Sequence, residues 1–301
     1  MWRAMGKFKI KDALKLRAGN DVRLADVDPT ATPGFSGDKD DLKSRFEHFD
    51  DELYDLQEKL FATARAAGDT PAAGDSGSDA DSPAPSILVV LQGMDTSGKG
   101  GAIRHVLNLF DPQGTSTVSF GKPMEEELEH DFLWRIRKHD PEPGQIVAFD
   151  RSHYEDVLVQ RVHEWVDEPE VERRFGAIRG YERELADNNV HIIKVFFHIS
   201  KDFQKKNLLK RIEREDKHWK YDPGDIDERE LWDDYMAAYE DAIRRTDEDW
   251  APWYVIPTDN KKYARMALKF LLLNELRSLD LSWPGRDFDP EVERARLEES
   301  D

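Results

Sequence analysis

The sequence contains no cysteine, which excludes disulfide bonds and thiol chemistry. No stretch approaches the run of about 18 apolar residues that a membrane-spanning helix needs. The region after Met1 also lacks the apolar core of a signal peptide. We therefore expect a cytoplasmic protein that does not associate with a membrane.

Basic residues are scarce relative to acidic ones. The chain has 44 lysines and arginines against 63 aspartates and glutamates, a formal net charge of −19. A surface of this sign repels a phosphate backbone, so nucleic acid is not expected as a partner. At 301 residues, 39% of them hydrophobic, the chain can bury the core of one large domain or of one domain with an appendage.

The segment SILVVLQGMDTSGKGGAIR, residues 86–104, carries the most informative motif. An apolar run leads into Gly93, and Gly98-Lys99 opens a predicted helix, which is the strand, loop and helix of a P-loop. Backbone N–H groups at such a helix start bind phosphate oxygens, and the lysine contacts a terminal phosphate. The alternative is a glycine-rich turn with a purely structural role. Phosphate contacts are expected from Lys99 and from Gly93, Met94, Thr96, Ser97, Gly98 and Gly100.

The metal-binding part of the motif departs from the usual pattern. The position after the P-loop lysine normally carries the Ser or Thr that holds magnesium, and here it is Gly100. One carboxylate, Asp95, lies inside the loop, and a second, Asp150, follows a predicted strand as in a Walker B motif. We expect both carboxylates to hold the metal and Arg151 to neutralise charge on a transferring phosphoryl group. Helix capping is the alternative role for Asp150.

A basic stretch between Lys201 and Lys220 stands out in this acidic chain, with eight basic residues against four acidic ones. Its spacing predicts a helix with cations along one side. The cations on that side are Lys206, Lys210, Arg214 and Lys217. This face is interpreted as an anion-binding surface, with a solvated helix face as the alternative.

Short apolar runs alternate with helical patterns from residue 86 onward. The predicted strands are Ile87–Leu91, Ser116–Phe120, Ile146–Phe149, Ile192–Ile199 and Tyr254–Ile256. The predicted helices are Gly101–Phe110, Glu125–Lys138, Tyr154–Trp165, Glu170–Asp187, Lys201–Glu215, Arg229–Thr246 and Lys261–Leu279. This alternation predicts an α/β fold with a parallel sheet and helices on both faces. Ligands of such sheets bind at the carboxyl ends of the strands, where both phosphate motifs lie.

Residues 1–85 are expected to lie outside the P-loop domain, which spans 86–285. They comprise an irregular arm over 1–40, an amphipathic helix from Asp41, and a flexible acidic connector over Ala66–Pro85. The helix carries one apolar stripe, formed by Leu42, Phe46, Phe49, Leu53, Leu56 and Leu60. This stripe either packs on the protein's own core or forms a subunit interface. Residues 286–301 are expected to be a charged, frayed tail.

Six segments in order resemble the polyphosphate kinase 2 family, and the resemblance spans about Lys7 to Leu279. The segments are Gly93–Gly101, Phe120–Pro123, Leu133–Arg135, Phe149–Asp156, His198–Lys201 and Ala251–Pro257. The resemblance implies a P-loop kinase fold similar to thymidylate kinase, with a helical lid over about 201–230. It also implies phosphoryl transfer between inorganic polyphosphate and adenine or guanine nucleotides, dependent on Mg²⁺ or Mn²⁺, and a homo-oligomer, either dimer or tetramer.

The resemblance carries over to individual positions. Asp95 and Lys99 match the family's Walker A aspartate and lysine, and Asp150 and Arg151 match its Walker B pair. These four are the expected catalytic residues. The basic stretch matches the lid that closes over the phosphates. Its expected phosphate contacts are Lys206, Lys210, Arg211, Arg214 and Lys217.

Glu155 bears on the subclass. Family members that accept only one kind of nucleotide usually carry Asn at this position, whereas versatile class III members carry Glu. The resemblance therefore implies an enzyme that phosphorylates both nucleoside mono- and diphosphates, AMP to ADP and ADP to ATP. The expected contacts of the acceptor nucleotide are Glu155, Lys122 and Arg104. His153 also resembles class III and is interpreted as a packing residue rather than a base.

Two other functions stay open at this point. An ATP-dependent nucleotide kinase would use the same P-loop, but it would more naturally keep Ser or Thr at position 100 and would not need the cationic stretch. A non-catalytic P-loop regulatory protein would not need the Walker B carboxylate.

Overall fold

The computed structural model describes residues 8–69, 83–285 and 287–300. Five strands form one sheet: β1 Ser86–Gln92, β2 Thr115–Ser119, β3 Ile146–Asp150, β4 Val190–His198 and β5 Trp253–Pro257. Their order is β2-β3-β1-β4-β5, and every neighbouring pair is parallel. All five predicted strands and the predicted parallel sheet are confirmed.

Helices connect the strands. The α-helices of the described residues are α1 Ile10–Leu14, α2 Lys39–Glu47, α3 Asp50–Asp69, α4 Lys99–Val106, α5 Glu125–Leu128, α6 Trp134–Arg137, α7 Val159–Val162, α8 Glu168–Asp187, α9 Lys201–Glu213, α10 Gly224–Glu230, α11 Trp232–Thr246, α12 Lys261–Ser278 and α13 Pro290–Glu298. Short 3-10 turns cover Leu24–Asp26, Leu107–Leu109, His153–Val157 and Glu215–Lys220.

The sheet is covered on both faces. All seven residues of β1 are buried, and the five apolar ones alternate between two hydrophobic cores. Val89 packs in the core that α4 and α12 also line, while Leu88 and Val90 pack in the core that α8 and α11 line. Burial on both faces explains why β1 carries a continuous apolar run, Ile87–Leu91, rather than an alternating pattern. β1 lies at the centre of the sheet, so the P-loop follows the central strand.

The N-terminal arm is more regular than expected. Besides α1, it pairs with the outer edge of β5: the Ala18 N–H donates to the Trp253 carbonyl at 2.9 Å, and the Val255 N–H donates to the Leu16 carbonyl at 2.9 Å. An edge strand has unpaired backbone groups on its open side. The arm satisfies some of them, which is why this segment is not irregular throughout.

The amphipathic stripe packs inside the protein. Leu42, Leu53 and Leu60 are buried in the core around α12. The structure thus supports the first alternative, packing on the protein's own core. The expected single helix is wrong, however, because α2 ends at Glu47 and α3 begins at Asp50. The buried amine of Lys269 lies at this break, where it donates to the Phe46 carbonyl and pairs with Asp50.

Three other predicted helices are interrupted. The helix predicted over Glu125–Lys138 is split into α5 and α6, because Asp131 accepts a hydrogen bond from the Leu133 N–H and starts a new turn. The one over Tyr154–Trp165 is a 3-10 turn followed by α7, with a non-helical residue at Leu158. The one over Arg229–Thr246 is divided between α10 and α11 at Leu231.

The C-terminal tail differs from the expected frayed segment, whereas most of the expected connector is not described. The predicted frayed tail contains α13, whose first turn is capped by the side chain of Asp289. Exposed ion pairs three residues apart, such as Arg294–Glu291, run along it. The expected connector over Ala66–Pro85 begins within α3, and its residues 70–82 lie outside the described part of the chain.

The lid segment follows β4 at the carboxyl edge of the sheet. It comprises α9, the 3-10 turn Glu215–Lys220 and α10. Ser200 caps α9 because its hydroxyl oxygen accepts from the Phe203 N–H, and the same hydroxyl donates to Asp259 after β5 at 2.6 Å. The start of the lid is thus tied to the neighbouring strand. No helix among the described residues is long and apolar enough to span a membrane.

Candidate active site

A cavity of about 660 Å³ opens at the carboxyl edge of the sheet. Its walls come from the P-loop and α4, from the ends of β2 and β3, from the lid segment and from the start of α12. Strand register places Asp150 beside Leu91 of β1 and Ser119 of β2. The two phosphate motifs therefore face one cavity, as expected for a parallel sheet.

The P-loop backbone needs glycine at its first position. Gly93 has φ 146°, and a Cβ there would lie 2.7 Å from the Phe197 carbonyl oxygen of β4. Gly98 has φ 110° and caps α4, which begins at Lys99. Since the first N–H groups of a helix have no helical partner, the start of α4 presents donors at the wall of the cavity.

Lys99 is buried beneath the loop. Only 8% of the residue is exposed, and its Nζ donates to the Gly93 carbonyl at 2.6 Å. Burial lowers the pKa of Lys99, and the proximity of Arg151 adds to this, while Asp150, Asp95 and Glu155 oppose the shift. The amine is thus held in place by the loop it belongs to.

An ion pair joins the two motifs. Arg151 Nη2 donates to Asp95 Oδ1 at 3.0 Å. Burial alone would raise the pKa of Asp95, but Lys99 and Arg151 outweigh it, so the pKa lies below its usual value. Burial likewise opposes the charge of Arg151, but Glu155 and Asp95 outweigh it and raise its pKa. Both groups are therefore charged at neutral pH.

Gly100 faces Asp150. A Cβ on Gly100 would meet nothing closer than Asp150 Oδ2, at 4.0 Å. A Ser or Thr hydroxyl at this position would thus lie beside the Asp150 carboxylate. Asp150 therefore lies in the corner of the cavity where a P-loop with Ser or Thr at position 100 would place its hydroxyl.

Two hydroxyls of the loop have no hydrogen-bond partner within the described chain. Thr96 Oγ1 and Ser97 Oγ are buried, and both residues line the cavity. A buried polar atom without a partner is costly. These hydroxyls therefore suit a ligand rich in oxygen acceptors.

Cations surround the rest of the cavity. We call these eight residues the cationic rim: Arg104, Lys210, Arg211, Arg214, Lys217, Lys220, Lys261 and Arg265. Ion pairs with carboxylates involve only Arg211, Arg214 and Lys217 within the described residues, and the partners are Asp225 and Asp216. The cationic rim therefore has an excess of positive charge in a chain whose net charge is −19.

The predicted cationic helix face is wrong in its geometry. α9 ends at Glu213, Arg214 is extended, and Lys217 lies in the following 3-10 turn. Lys206 is exposed and does not line the cavity, whereas Lys210 does. The cations of the lid converge because the chain turns after Glu213, not because they share one helix face.

The expected acceptor contacts are separated. Arg104 lines the cavity, whereas Lys122 is exposed and lies outside the lining. Glu155 also lies outside the lining and is half-buried. Burial raises the pKa of Glu155, and nearby Arg151 and Lys99 oppose the shift. Two of its charged neighbours are thus residues expected to be catalytic.

The remaining predicted residues fall into two groups. The cavity is lined by Asp95, Thr96, Ser97, Gly98, Lys99, Gly100, Asp150 and Arg151. Gly93 and Met94 support the loop from outside the lining. His153 is fully buried, with Nε2 3.1 Å from Glu182 Oε1, which agrees with a packing role.

Sequence reasoning missed a contribution from the last helix of the fold. Lys261 and Arg265 lie in the first two turns of α12, and both line the cavity. Arg265 lies over Gly101, where an added Cβ would be 3.2 Å from its Nη2. Asn207 and Lys220 of the lid were also missed. The available signal was that Lys261 and Arg265, four residues apart, directly follow β5 at the binding edge of the sheet.

Comparisons with known proteins agree with this geometry. The sequence pattern of the family described as Polyphosphate kinase 2 matches residues 78–282. A protein of Meiothermus ruber named AMP/ADP-polyphosphate phosphotransferase is 40% identical over 261 residues, which cover 87% of this chain and 91% of that protein. A protein of Rhodopseudomonas palustris named ADP-polyphosphate phosphotransferase is 38% identical, and the match covers 77% of this chain and 78% of that protein.

A solved structure is similar over nearly the whole chain. The crystal structure of Polyphosphate Kinase 2 from Arthrobacter aurescens TC1 has a TM-score of 0.89 and 45% sequence identity. The match covers 99% of this chain and 100% of that one. It confirms the P-loop kinase fold expected for the sheet, the P-loop and the lid segment. The protein belongs to the polyphosphate kinase 2 family.

Proposed function

We propose that the protein transfers the terminal phosphate of inorganic polyphosphate to nucleoside mono- and diphosphates, AMP to ADP and ADP to ATP. The observation that carries the proposal is the cationic rim beside a P-loop in a protein of net charge −19. The names of the Meiothermus ruber and Rhodopseudomonas palustris relatives support the same reaction.

The proposed donor, polyphosphate, lies along the cationic rim. Each unit of polyphosphate is anionic, so closely spaced cations act on it together. In the proposal, the polymer lies against the lid cations and the start of α12, and its terminal phosphate contacts Lys99, the helix start and the hydroxyls of Thr96 and Ser97. This placement is supported because neither hydroxyl has a hydrogen-bond partner among the described residues.

The site fits a magnesium ion held partly by substrate. The available donors are all hard oxygens: the carboxylates of Asp95 and Asp150 and the loop hydroxyls. The described residues contain no group of three or more His, Asp or Glu side chains able to hold a metal. Mg²⁺ commonly keeps several waters and phosphate oxygens when one or two carboxylates bind it. Mn²⁺ prefers the same kind of ligand. When bound, the ion neutralises phosphate charge and orients the two phosphates.

The chain's own residues then position the transfer. A phosphate oxygen of the acceptor attacks the terminal phosphorus of polyphosphate in line, and the bond from that phosphorus to its bridging oxygen breaks. The acceptor oxygen is already anionic, so no strong base is required. Arg151 and Lys99 offset the negative charge that is redistributed during transfer.

Glu155 is the residue proposed to let the enzyme accept both nucleoside mono- and diphosphates. It lies close to Arg151 and Lys99 without lining the cavity. In the proposal, its carboxylate acts through these cations and through a water or magnesium ion in the space that a monophosphate leaves empty. Adenine and guanine nucleotides are both proposed acceptors.

The family resemblance also underlies the proposed assembly and location. We propose a homo-oligomer, either dimer or tetramer, in the cytoplasm. Light scattering of the purified protein would measure its mass in solution.

An assay without ATP tests the main proposal. The purified protein is incubated with Mg²⁺, polyphosphate and AMP, and separately with ADP, and nucleotide products are separated by chromatography. Product in both reactions supports the proposal. In the control, ATP replaces polyphosphate as donor to AMP. Turnover with ATP alone would favour an ATP-dependent nucleotide kinase, and no turnover with either donor would favour a regulatory protein.

A further inference from the structure

Two side-chain amides of the lid contact the backbone of the P-loop. Gln204 Nε2 donates to the Asp95 carbonyl at 3.3 Å, and Asn207 Nδ2 donates to the Thr96 carbonyl at 3.4 Å. Both residues are in α9, three positions apart, so they share a face of the helix. Both are buried, with exposures of 1% and 8%. The lid therefore holds two successive peptide groups of the loop.

The other end of each amide is also held. Gln204 Oε1 accepts from Arg229 at 2.8 Å, and Asn207 Oδ1 accepts from Lys261 Nζ at 3.1 Å. Arginine and lysine can only donate. Each amide must therefore turn its oxygen toward its cation and its nitrogen toward the loop.

The loop needs this support at one residue in particular. Thr96 has φ 63°, the left-handed region that β-branched residues rarely adopt. Such a conformation persists only where its surroundings hold it. Because a trans peptide group is planar, holding the Asp95 carbonyl also sets the direction of the Thr96 N–H, which points the opposite way.

We infer that Gln204 and Asn207 are positioning residues that keep the P-loop in its phosphate-binding conformation, so that the lid completes the loop. The inference rests on the proposed function for its donor, polyphosphate. The same helix also carries Lys210 and Arg211 of the cationic rim. Polyphosphate that attracts Lys210 and Arg211 toward the cavity also holds the amides of Gln204 and Asn207 against the P-loop. Binding of the donor therefore stabilises the ordered loop, and the ordered loop favours binding of the donor.

Two neutral substitutions of similar size test the inference, Asn207→Leu and Gln204→Met. They remove the hydrogen bonds donated to the loop, together with those accepted from Arg229 and Lys261, without adding charge to the cavity. Leu209→Gln is the matched control, because Leu209 lies on the exposed side of the same helix, with 46% exposure. Melting curves with polyphosphate absent show whether each variant is folded.

Hydrogen exchange of the peptide that covers the P-loop is the decisive measurement. Each test variant should exchange these amides about five- to ten-fold faster than wild type, the range expected for one lost hydrogen bond. Peptides from β4 and α12 should be unchanged. Polyphosphate, added without nucleotide, should slow loop exchange less in the variants than in wild type. The control should match wild type throughout.

Steady-state kinetics measure the effects of these substitutions on the donor and on the acceptor separately. Asn207→Leu and Gln204→Met should each lower kcat/KM for polyphosphate about five- to ten-fold, with the KM for AMP within two-fold of wild type. Unchanged exchange of the loop in two folded variants overturns the inference. Equal loss for donor and acceptor also overturns it, because that is the result of a general defect in the lid. A wild type without polyphosphate turnover rejects the proposed function, whereas the loop exchange still tests the positioning role.

Discussion

Arg151 Nη2 lies 3.0 Å from Asp95 Oδ1, which links the residue after β3 to the loop after β1. Arg151 is in the left-handed region, with φ 63°. Two neighbouring strands of a parallel sheet thus deliver opposite charges to one point, and the carboxylate proposed to hold magnesium is already paired with the cation proposed to stabilise transfer.

Lys99→Ala should reduce transfer to a small residual rate. Among the described residues, the amine's hydrogen-bond acceptor is the Gly93 carbonyl, so its loss removes the proposed phosphate contact and leaves the hydrophobic cores intact. We expect kcat to fall by about 10²–10³, equivalent to about 3–4 kcal/mol, as when one preorganised charge-stabilising donor is removed. Initial rates and melting curves are the measurements. Near-normal turnover in a folded variant would disprove the role of Lys99.

Asp95→Asn and Asp150→Asn should each raise the magnesium concentration that gives half-maximal rate. Each change removes an anionic oxygen from a site with few other carboxylates. The measurement is a series of initial rates over magnesium concentration at saturating polyphosphate and AMP. If both variants follow the wild-type curve, these carboxylates do not hold the metal.

Lys210→Gln and Lys217→Gln should raise the KM for polyphosphate several-fold and leave the KM for AMP unchanged. Both residues line the cavity. Added salt should raise the KM for polyphosphate more steeply in wild type than in the variants. Salt screens the attraction between these lysines and polyphosphate, and the variants have already lost that attraction. The matched control is Lys205→Gln, since Lys205 is exposed on α9, the helix of Lys210, and lies outside the lining. An equal effect of the control would assign the change to net charge alone.

Glu155→Asn should reduce activity on AMP by a larger factor than activity on ADP. The carboxylate is proposed to compensate for the space that a monophosphate leaves empty, and ADP fills more of that space. Initial rates with each acceptor at saturating polyphosphate make the comparison for wild type and variant. Equal losses on AMP and ADP would still be compatible with an enzyme that accepts both nucleotides, but they would show that Glu155 is not the reason for it.

Asp156→Asn should stabilise the protein at neutral pH. Burial, only partly offset by Arg174, raises the pKa of Asp156 from 3.8 to about 6. The folded state therefore binds this proton more tightly than the unfolded state, and the free energy of unfolding falls as the pH rises between these two values. The variant should recover at most about 3 kcal/mol above pH ~6 and little below pH ~4.

Urea unfolding across this pH range checks the Asp156 prediction. The exposed Asp233→Asn is the control. A stability difference between Asp156→Asn and wild type that does not change with pH would contradict it.

Local sequence determined the strands and the first two motifs. The strand after Pro85 is apolar at nearly every position because both of its faces are buried, and such a run can be read without a structure. Gly93, Gly98 and Lys99 have fixed spacing, since the loop closes over a few residues. Parallel strands share one carboxyl edge, so the sequence also predicted that Asp95 and Asp150 would meet.

Tertiary structure decided the remainder, because it depends on contacts between distant segments. Lys269 reaches the break between α2 and α3 from the last core helix, which a helical pattern does not reveal. The turn after Glu213 brings Lys217 to the cavity, while Lys206 stays outside the lining. Arg265 reaches the P-loop from more than 150 positions along the chain, because β5 lies in the same sheet and delivers α12 to the same edge. Residue spacing records which side chains share a helix face or a strand end, but only the packing of the sheet and its helices determines which of them surround one ligand.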